Sequence, residues 1–467
     1  MEGGLVARNG GRLGVAALVA VLLLGLGLRV GEAWDGRAPV YDAAAYAKIA
    51  ANLEAGEGFT VGPSATQPSS NYSPGLPLFV AGLYSVTGGE DERLARLVLA
   101  VVGTLSVLFA YLLGRRFWTA LTRPPDQPPR QGEAADRGAV VAGLLGAAVV
   151  AVYPALVEYQ GMLMGEPLAA TLLSGAVLTM FWAWDGEALG RWLLPGVLLG
   201  MLALVRPEYL GVAVLLALVV ASITLWQSFV ALSATNLCHK GSWRGLVAAG
   251  VLLAGVAVVV APWTVRNVVA LDRAVPISTG GGQVLFAGTY LPSDGDPERV
   301  GAEVVAENPD LFEPDAVERL RLEQILARLA AREHPGVETD RALARMGREQ
   351  LWDDVTGQPL EYAGFLGAKL WRVWGHGPRQ VMRQPGWELL HWAVVAFAAL
   401  GLALLARRRR REALVLATVL VAITAIGLLL VASPRRTLVL LPLVASLAGV
   451  GATWSAERLK GFWAHGP

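Results

Sequence analysis

Long apolar runs punctuated by short polar turns dominate the chain, and run length rather than internal periodicity carries the signal. A helix needs roughly 17 to 25 apolar residues to cross the hydrocarbon core. By that measure spans fall near 13–30, 94–113, 138–155, 167–184, 190–205, 209–226, 246–263, 388–406, 412–431 and 438–455. The expected fold is therefore an all-α polytopic membrane protein of about 10 transmembrane helices. The first run, Leu13 to Val30, is too long for a signal-peptide core and lacks a small-residue cleavage site, so it is expected to be a retained span.

Two long segments between spans follow a different pattern. In residues 31–93, Tyr46, Ile49, Ala50 and Leu53 recur at helical spacing, behind Asp42 and ahead of Gly56 and Gly58. That pattern predicts a helix lying along the membrane surface. The next stretch, "SPGLPLFVAGLYSVTGG", has too short an apolar part to span and suits a second interfacial or re-entrant helix. Residues 298–374 alternate charged and apolar positions and predict a few amphipathic helices rather than a separate domain. "VPISTGGGQVLFAGTY" is Gly-rich, but no strand–helix pattern around it makes a phosphate loop. The expected organisation is a transmembrane module at 1–263, an outer helical loop region at 264–387 and C-terminal transmembrane helices at 388–467.

Composition agrees with this picture. Hydrophobic residues make up 54% of the 467, charged residues 16%, and mean hydropathy is +0.48. Soluble domains carry about 25% charged residues. A net charge of +1 gives no basic face for nucleic acid. The single cysteine, Cys238, permits no intrachain disulfide and no CxxC site, and the five histidines lack a zinc-binding spacing.

Basic residues set the orientation. Arg8 and Arg12, the Arg115–Arg137 group, Arg191, Lys240 with Arg244, Arg407–Arg411 and Arg458 with Lys460 all fall on one side of the ten spans. That side is expected to be cytoplasmic and to hold both termini, which puts residues 31–93 and 264–387 outside. The cytoplasmic loops are short or Pro-rich, as in "TRPPDQPPRQGEAADRG", and read as linkers.

Charges that break this pattern are the candidates for chemistry. Asp42 opens the first outer helix, where aspartate is also a favoured N-cap, and the two roles are compatible. Glu158 and Glu166 flank the outer end of "YPALVEYQGMLMGEPLAA", with Pro167 marking a helix start at Glu166. Interfacial acids are functional candidates because burying charge is costly. Arg206 in "LVRPEYL", Arg266 in "APWTVRN", and Arg435 and Arg436 in "SPRRTLVLLP" are outer-side cations. Snorkelling at a helix end accounts for some of them. Together they offer guanidinium forks to an anion at headgroup depth, a lipid phosphate being the obvious one.

On these residues the chain resembles the GT-C membrane glycosyltransferases, in particular the bacterial branch related to protein O-mannosyltransferases and lipid A aminoarabinose transferases. The resemblance runs over nearly the whole chain through "YDAAAYAKIAANLEAGEGF", "NYSPGLPLFVAGLYSVTG", "YQGMLMGEPL", "GMLALVRPEYL", "APWTVRNVVALDRAVPISTGGG" and "RRTLVLLPLVASLAG". It implies a polyprenyl-phosphate sugar donor at the outer leaflet of a bacterial plasma membrane and inversion at the anomeric carbon. It also implies Asp42 as the catalytic residue, with Glu166 matching the acid at the start of the fourth span. The aminoarabinose branch carries an acid–lysine pair in the first loop, whereas this chain reads Tyr72-Ser73-Pro74-Gly75. The donor phosphate is then expected to rest on Arg206, Arg266 or the Arg435–Arg436 pair. Tyr46, Tyr72 and Glu158 are expected in accessory or acceptor-side roles.

The expected reaction transfers the sugar to an acceptor hydroxyl on a glycan, lipid or protein. Asp42 takes the hydroxyl proton, gaining base strength from partial desolvation, and the arginines stabilise the departing phosphate. Glu166 either orients the acceptor or joins Asp42 in holding Mg²⁺ or Mn²⁺, which suit oxygen ligands. A lipid-linked sugar flippase or transporter is the alternative, although no internal repeat is visible and the charges sit at the interface rather than mid-membrane.

Overall fold

The computed structural model describes residues 2–61, 68–123, 136–235 and 242–465. The linker at 122–138, apart from its ends, and the expected loop residues Arg130, Cys238 and Lys240 lie outside them. The described residues form 19 α-helices and no strand.

The N-terminal half runs α1 (Glu2–Trp34), α2 (Asp42–Glu54), α3 (Gly75–Thr87), α4 (Glu92–Thr122), α5 (Arg137–Val152), α6 (Pro154–Glu158), α7 (Glu166–Trp184), α8 (Leu193–Val205), α9 (Tyr209–Thr235) and α10 (Ser242–Leu271). The helices of the expected outer set follow: α11 (Gly281–Thr289), α12 (Val300–Glu307), α13 (Ala316–Arg319), α14 (Leu322–Glu333), α15 (Thr339–Gly357) and α16 (Pro359–Trp374). The chain closes with α17 (Pro385–Arg408), α18 (Arg410–Leu429) and α19 (Arg435–His465).

Seven helices are long and apolar enough to cross a membrane, so the protein is multi-pass; they lie within α1, α4, α7, α10, α17, α18 and α19. The other three expected spans take different forms. The span at 138–155 is broken, because Pro154 lacks an N–H and forces Tyr153 into extended backbone (φ −62°, ψ 113°). α5 and the helix after it, through Met162, meet at 54°. The carbonyls freed at this break are held by Arg29 of α1, a fully buried guanidinium that donates to Val150 O (2.8 Å) and Ala151 O (3.1 Å). The span at 190–205 is a short apolar helix, Leu189–Val205, and the span at 209–226 falls in the 27-residue α9, apolar from Tyr209 through Ile223. Pro207 separates them by the same mechanism, holding Arg206 in extended backbone (φ −140°, ψ 97°).

The central core joins α3, α4, α7, α8, α9 and the C-terminal helices α17–α19 around buried residues such as Leu99, Phe117, Leu173, Leu199, Leu416 and Leu440. Both short helices expected between the first two spans are present, each 13 residues long. The N-terminus of α3 presses so closely on α8 that a Cβ at Gly75 would sit 2.7 Å from Val205 N, which only glycine permits. The outer set has a compact core of its own, with Phe286, Val300, Val304, Leu326 and Leu343 buried together. The Gly-rich stretch before it is a helix start whose N–H groups are already taken: Asp340 Oδ1 accepts from Gly282 N at 2.8 Å.

The last turns of α4, the end of α7 and the start of α18 meet at one end of the bundle, where Arg116 pairs with Asp185 and Arg411 approaches the same carboxylate at 3.8 Å. The starts of α2, α7 and α19 meet elsewhere, around a cavity.

Candidate active site

A cavity of about 370 Å³ is lined by Asp42, Tyr46, Ser73, Glu166, Arg206, Glu208, Arg435 and Arg436, among others. Helix ends and breaks supply the charged side chains. Asp42 is the first residue of α2 and Glu166 the first of α7, while Arg435 and Arg436 open α19. Arg206 is itself the extended residue before Pro207, and Glu208 follows that proline.

Glu166 is the electrostatic centre. It is 1% exposed, and its Oε1 accepts from Arg206 Nη2 at 2.6 Å and from Arg435 Nε at 2.7 Å. Charge-assisted bonds at these lengths are strong, and they orient two guanidinium planes at once. Glu208 does the same for a second pair, receiving Arg436 Nη1 at 3.0 Å and lying 3.7 Å from Arg206 Nη1. Arg206 thus bridges the two acids.

Asp42 differs from both. Its side chain is 48% exposed, and its one ion pair is a long contact of 3.4 Å to Arg435 Nη1. The helix-cap role is absent in its simple form: Tyr41 is the N-cap residue, and no side-chain bond caps α2. Tyr41 holds φ 50° and ψ −121°, a conformation that strains a bulky residue immediately before the carboxylate. Tyr46, one turn along α2, packs edge-on to Tyr72 at 5.8 Å. Burial, with Asp42 beside it, pushes the Tyr46 phenol well above its ordinary pKa and keeps it a hydrogen-bond donor.

Three expected residues lie apart from the cavity lining. Glu158 forms a neighbouring cluster with Arg379 (2.6 Å) and Arg37 (4.0 Å). The Tyr159 ring links that cluster to the chamber, with Arg379 and Arg435 each 6.0 Å from its centroid. Tyr72 stands behind Tyr46 rather than on the wall. Arg266 serves the scaffold: it donates to Ser69 O at 3.0 Å and to Phe59 O at 3.4 Å, and it rests 4.9 Å from the Trp263 ring. The rest of its motif works alike, with Trp263 Nε1 and Asn267 Nδ2 both donating to Ile277 O. "APWTVRN" therefore pins Phe59 and Ser69 to the segment after α10, and the Arg266 guanidinium, expected at the phosphate site, is turned to these loop carbonyls.

The metal expectation also changes. Arg435 stands between Asp42 and Glu166, bonded to both, so a guanidinium already fills the position from which a cation would bridge them. Among the described residues no group of three or more His, Cys, Asp or Glu side chains could hold a metal ion. The donor set does not fit Mg²⁺ or Mn²⁺.

Sequence reasoning passed over Glu208, Arg379, Tyr159 and Arg29. Glu208 was visible in "LVRPEYL" as an acid two residues from a candidate arginine. The others depend on contacts between distant parts of the chain.

No family model matches this sequence, and no curated protein matches it. Among solved structures, the archaeal oligosaccharyltransferase AglB from Archaeoglobus fulgidus, in complex with an inhibitory peptide and a dolichol-phosphate, aligns with TM-score 0.54 and 13% identity, over 97% of this chain and 51% of that one. The apo form of the Archaeoglobus fulgidus oligosaccharyltransferase aligns with TM-score 0.52 and 14% identity over the same shares. ArnT from Cupriavidus metallidurans bound to undecaprenyl phosphate gives a TM-score of 0.36 at 16% identity, over 96% of this chain and 78% of that one, too loose a likeness to carry an argument. The fold is shared with the archaeal oligosaccharyltransferase, and the chain spans about half the length of that protein.

Proposed function

We propose that the protein is an integral membrane glycosyltransferase that moves a sugar from a polyprenyl-phosphate donor to an acceptor hydroxyl, with inversion, on the extracytoplasmic face. One observation carries the reading: a half-exposed carboxylate, Asp42, shares a cavity with three guanidinium groups held in place by Glu166 and Glu208. AglB was solved with a dolichol-phosphate and a peptide, and its fold supports a lipid-linked donor here.

Each residue then has a distinct task. Arg435, Arg436 and Arg206 face the donor phosphate and stabilise the charge that gathers on it as it leaves. Glu166 and Glu208 are positioning residues, because their oxygens are committed to guanidinium N–H groups. The acceptor oxygen attacks the anomeric carbon from the face opposite the phosphate, and the new C–O bond forms as the bond to phosphate oxygen breaks. The electron pair leaves with the phosphate, and the acceptor proton passes to Asp42. Tyr46 donates a hydrogen bond to sugar or acceptor from the same wall.

The test is transfer from radiolabelled polyprenyl-phosphate sugars by the purified full chain in detergent. A new glycosidic bond, lost in Arg435→Ala, supports the reading. Label that crosses between leaflets when the same protein is reconstituted in vesicles, with no new bond, supports the flippase alternative.

A further inference from the structure

Lys369 of α16 is 1% exposed and faces no carboxylate partner among the described residues. Its ammonium donates to three backbone carbonyls instead: Gly288 O at 2.6 Å, Leu430 O at 2.7 Å, and Leu428 O. Gly288 lies in the last turn of α11, and Leu428 and Leu430 lie at the end of α18. One ammonium therefore caps the negative ends of two helices, satisfying carbonyls that a helix terminus leaves unpaired. Immediately downstream come Val431, Ser433, Arg435 and Arg436, all on the wall of the chamber.

We propose that Lys369 is a positioning residue that ties the outer helical set to the segment 430–436 and thereby sets where Arg435 and Arg436 present their guanidinium groups. Removing the ammonium frees the end of α18 and loosens the register of the two arginines. A merely apolar filler at this position cannot hold three carbonyls together.

The surroundings make this tie sensitive to protonation. α11 and the end of α18 offer carbonyls without titratable side chains. From α19 the nearby charge is Arg436, and on α16 itself the Phe365 ring lies 5.2 Å from the ammonium. Gly295 presses on the lysine stem, and next to it Asp296 pairs with Arg372 at 3.1 Å. Burial, with Arg436 adding, brings the lysine down to about 7. The ammonium has three N–H donors for three carbonyls, and the neutral amine has two.

The inference rests on the glycosyltransferase reading only for what the chamber binds, so two measurements are needed. The first is hydrogen–deuterium exchange of the full chain in nanodiscs for wild type, Lys369→Met and Lys369→Arg, corrected for intrinsic exchange. Lys369→Met is expected to raise exchange about tenfold in segments 286–290 and 428–436 and nowhere else. Unchanged exchange in both segments overturns the proposal. Should the variants fail to fold, the wild type decides: corrected exchange there must rise from about pH 6 to about pH 9, and a flat profile overturns the proposal. The second measurement is binding of undecaprenyl phosphate, with Arg435→Ala as reference. Lys369→Met is expected to weaken binding about tenfold and to lose the pH dependence of the wild type. A wild type that binds none of this lipid at any pH refutes the chamber reading and leaves the exchange experiment to judge Lys369.

Discussion

Replacing Asp42 by Asn separates the catalytic and structural readings of the chamber because the two predict different sizes and different signs. The carboxylate is half exposed, caps nothing, and touches Arg435 only through a 3.4 Å contact. An exposed pair of this kind contributes about 0.2–1 kcal/mol, and a carboxylate in the first turn of a helix about 0.3–1 kcal/mol. The substitution thus costs at most about 2 kcal/mol of stability. Loss of a general base, in contrast, lowers turnover by about 10²–10⁴. Binding moves the other way: Asn no longer competes for Arg435, so undecaprenyl phosphate binds equally well or up to about fivefold tighter. The assay pairs turnover on a radiolabelled polyprenyl-phosphate sugar with equilibrium binding of undecaprenyl phosphate by the same preparation. Turnover near wild type leaves Asp42 without a catalytic role. Loss of turnover and binding together makes it a ligand-binding residue acting through Arg435.

Glu166→Gln leaves Arg206 and Arg435 buried without their shared counter-charge, and breaking such a buried set costs about 3–5 kcal/mol. A large fall in the midpoint of thermal unfolding is expected, together with loss of undecaprenyl phosphate binding; a melting curve superimposed on wild type refutes the anchoring role. Arg266→Ala is expected to expose residues 59–61 and 68–71 to limited proteolysis while leaving affinity for undecaprenyl phosphate unchanged in the protein that remains folded. A selective loss of affinity with the loop intact restores Arg266 to the phosphate site. Treatment with EDTA is expected to leave the transfer rate unchanged, because Arg435 fills the place between the two acids. A rate abolished by chelation and restored by Mg²⁺ or Mn²⁺ contradicts that assignment.

Much of the chamber was legible because charge is conspicuous in an apolar chain. Asp42, Glu166, Arg206, Arg435 and Arg436 each stand at the end of a hydrophobic run, and all five line one cavity. Arg266 has the same local signature, yet its guanidinium turns to loop carbonyls. Its direction is set by Phe59 and Trp263, which no local pattern connects. Arg29 looks like an ordinary interfacial arginine at the end of a first span, and only the break at Pro154 explains its burial. Hydropathy counted ten apolar segments, but it is insensitive to where a proline forces the preceding residue out of helix. Tyr153 and Arg206 therefore mark ends that run length alone places inside or between spans.

The three acids and three arginines on the chamber wall cancel in formal charge, which at first sight gives an anion no reason to bind. The helices change that balance. α2, α7 and α19 all begin at the wall, and each brings the positive end of its dipole, equivalent to roughly half a charge. Asp42 and Glu166 occupy first turns and offset part of this, but α19 begins with two arginines and no acid. Field and side-chain charge therefore add at Arg435 and Arg436 and oppose one another at Asp42. In the proposed reaction the donor phosphate is drawn to the start of α19, while Asp42, the proposed base, keeps its half-exposed place in the same space. The proposed base and the phosphate site adjoin through Arg435, 3.4 Å from Asp42, and the residue with which each helix begins decides which of the two the field favours.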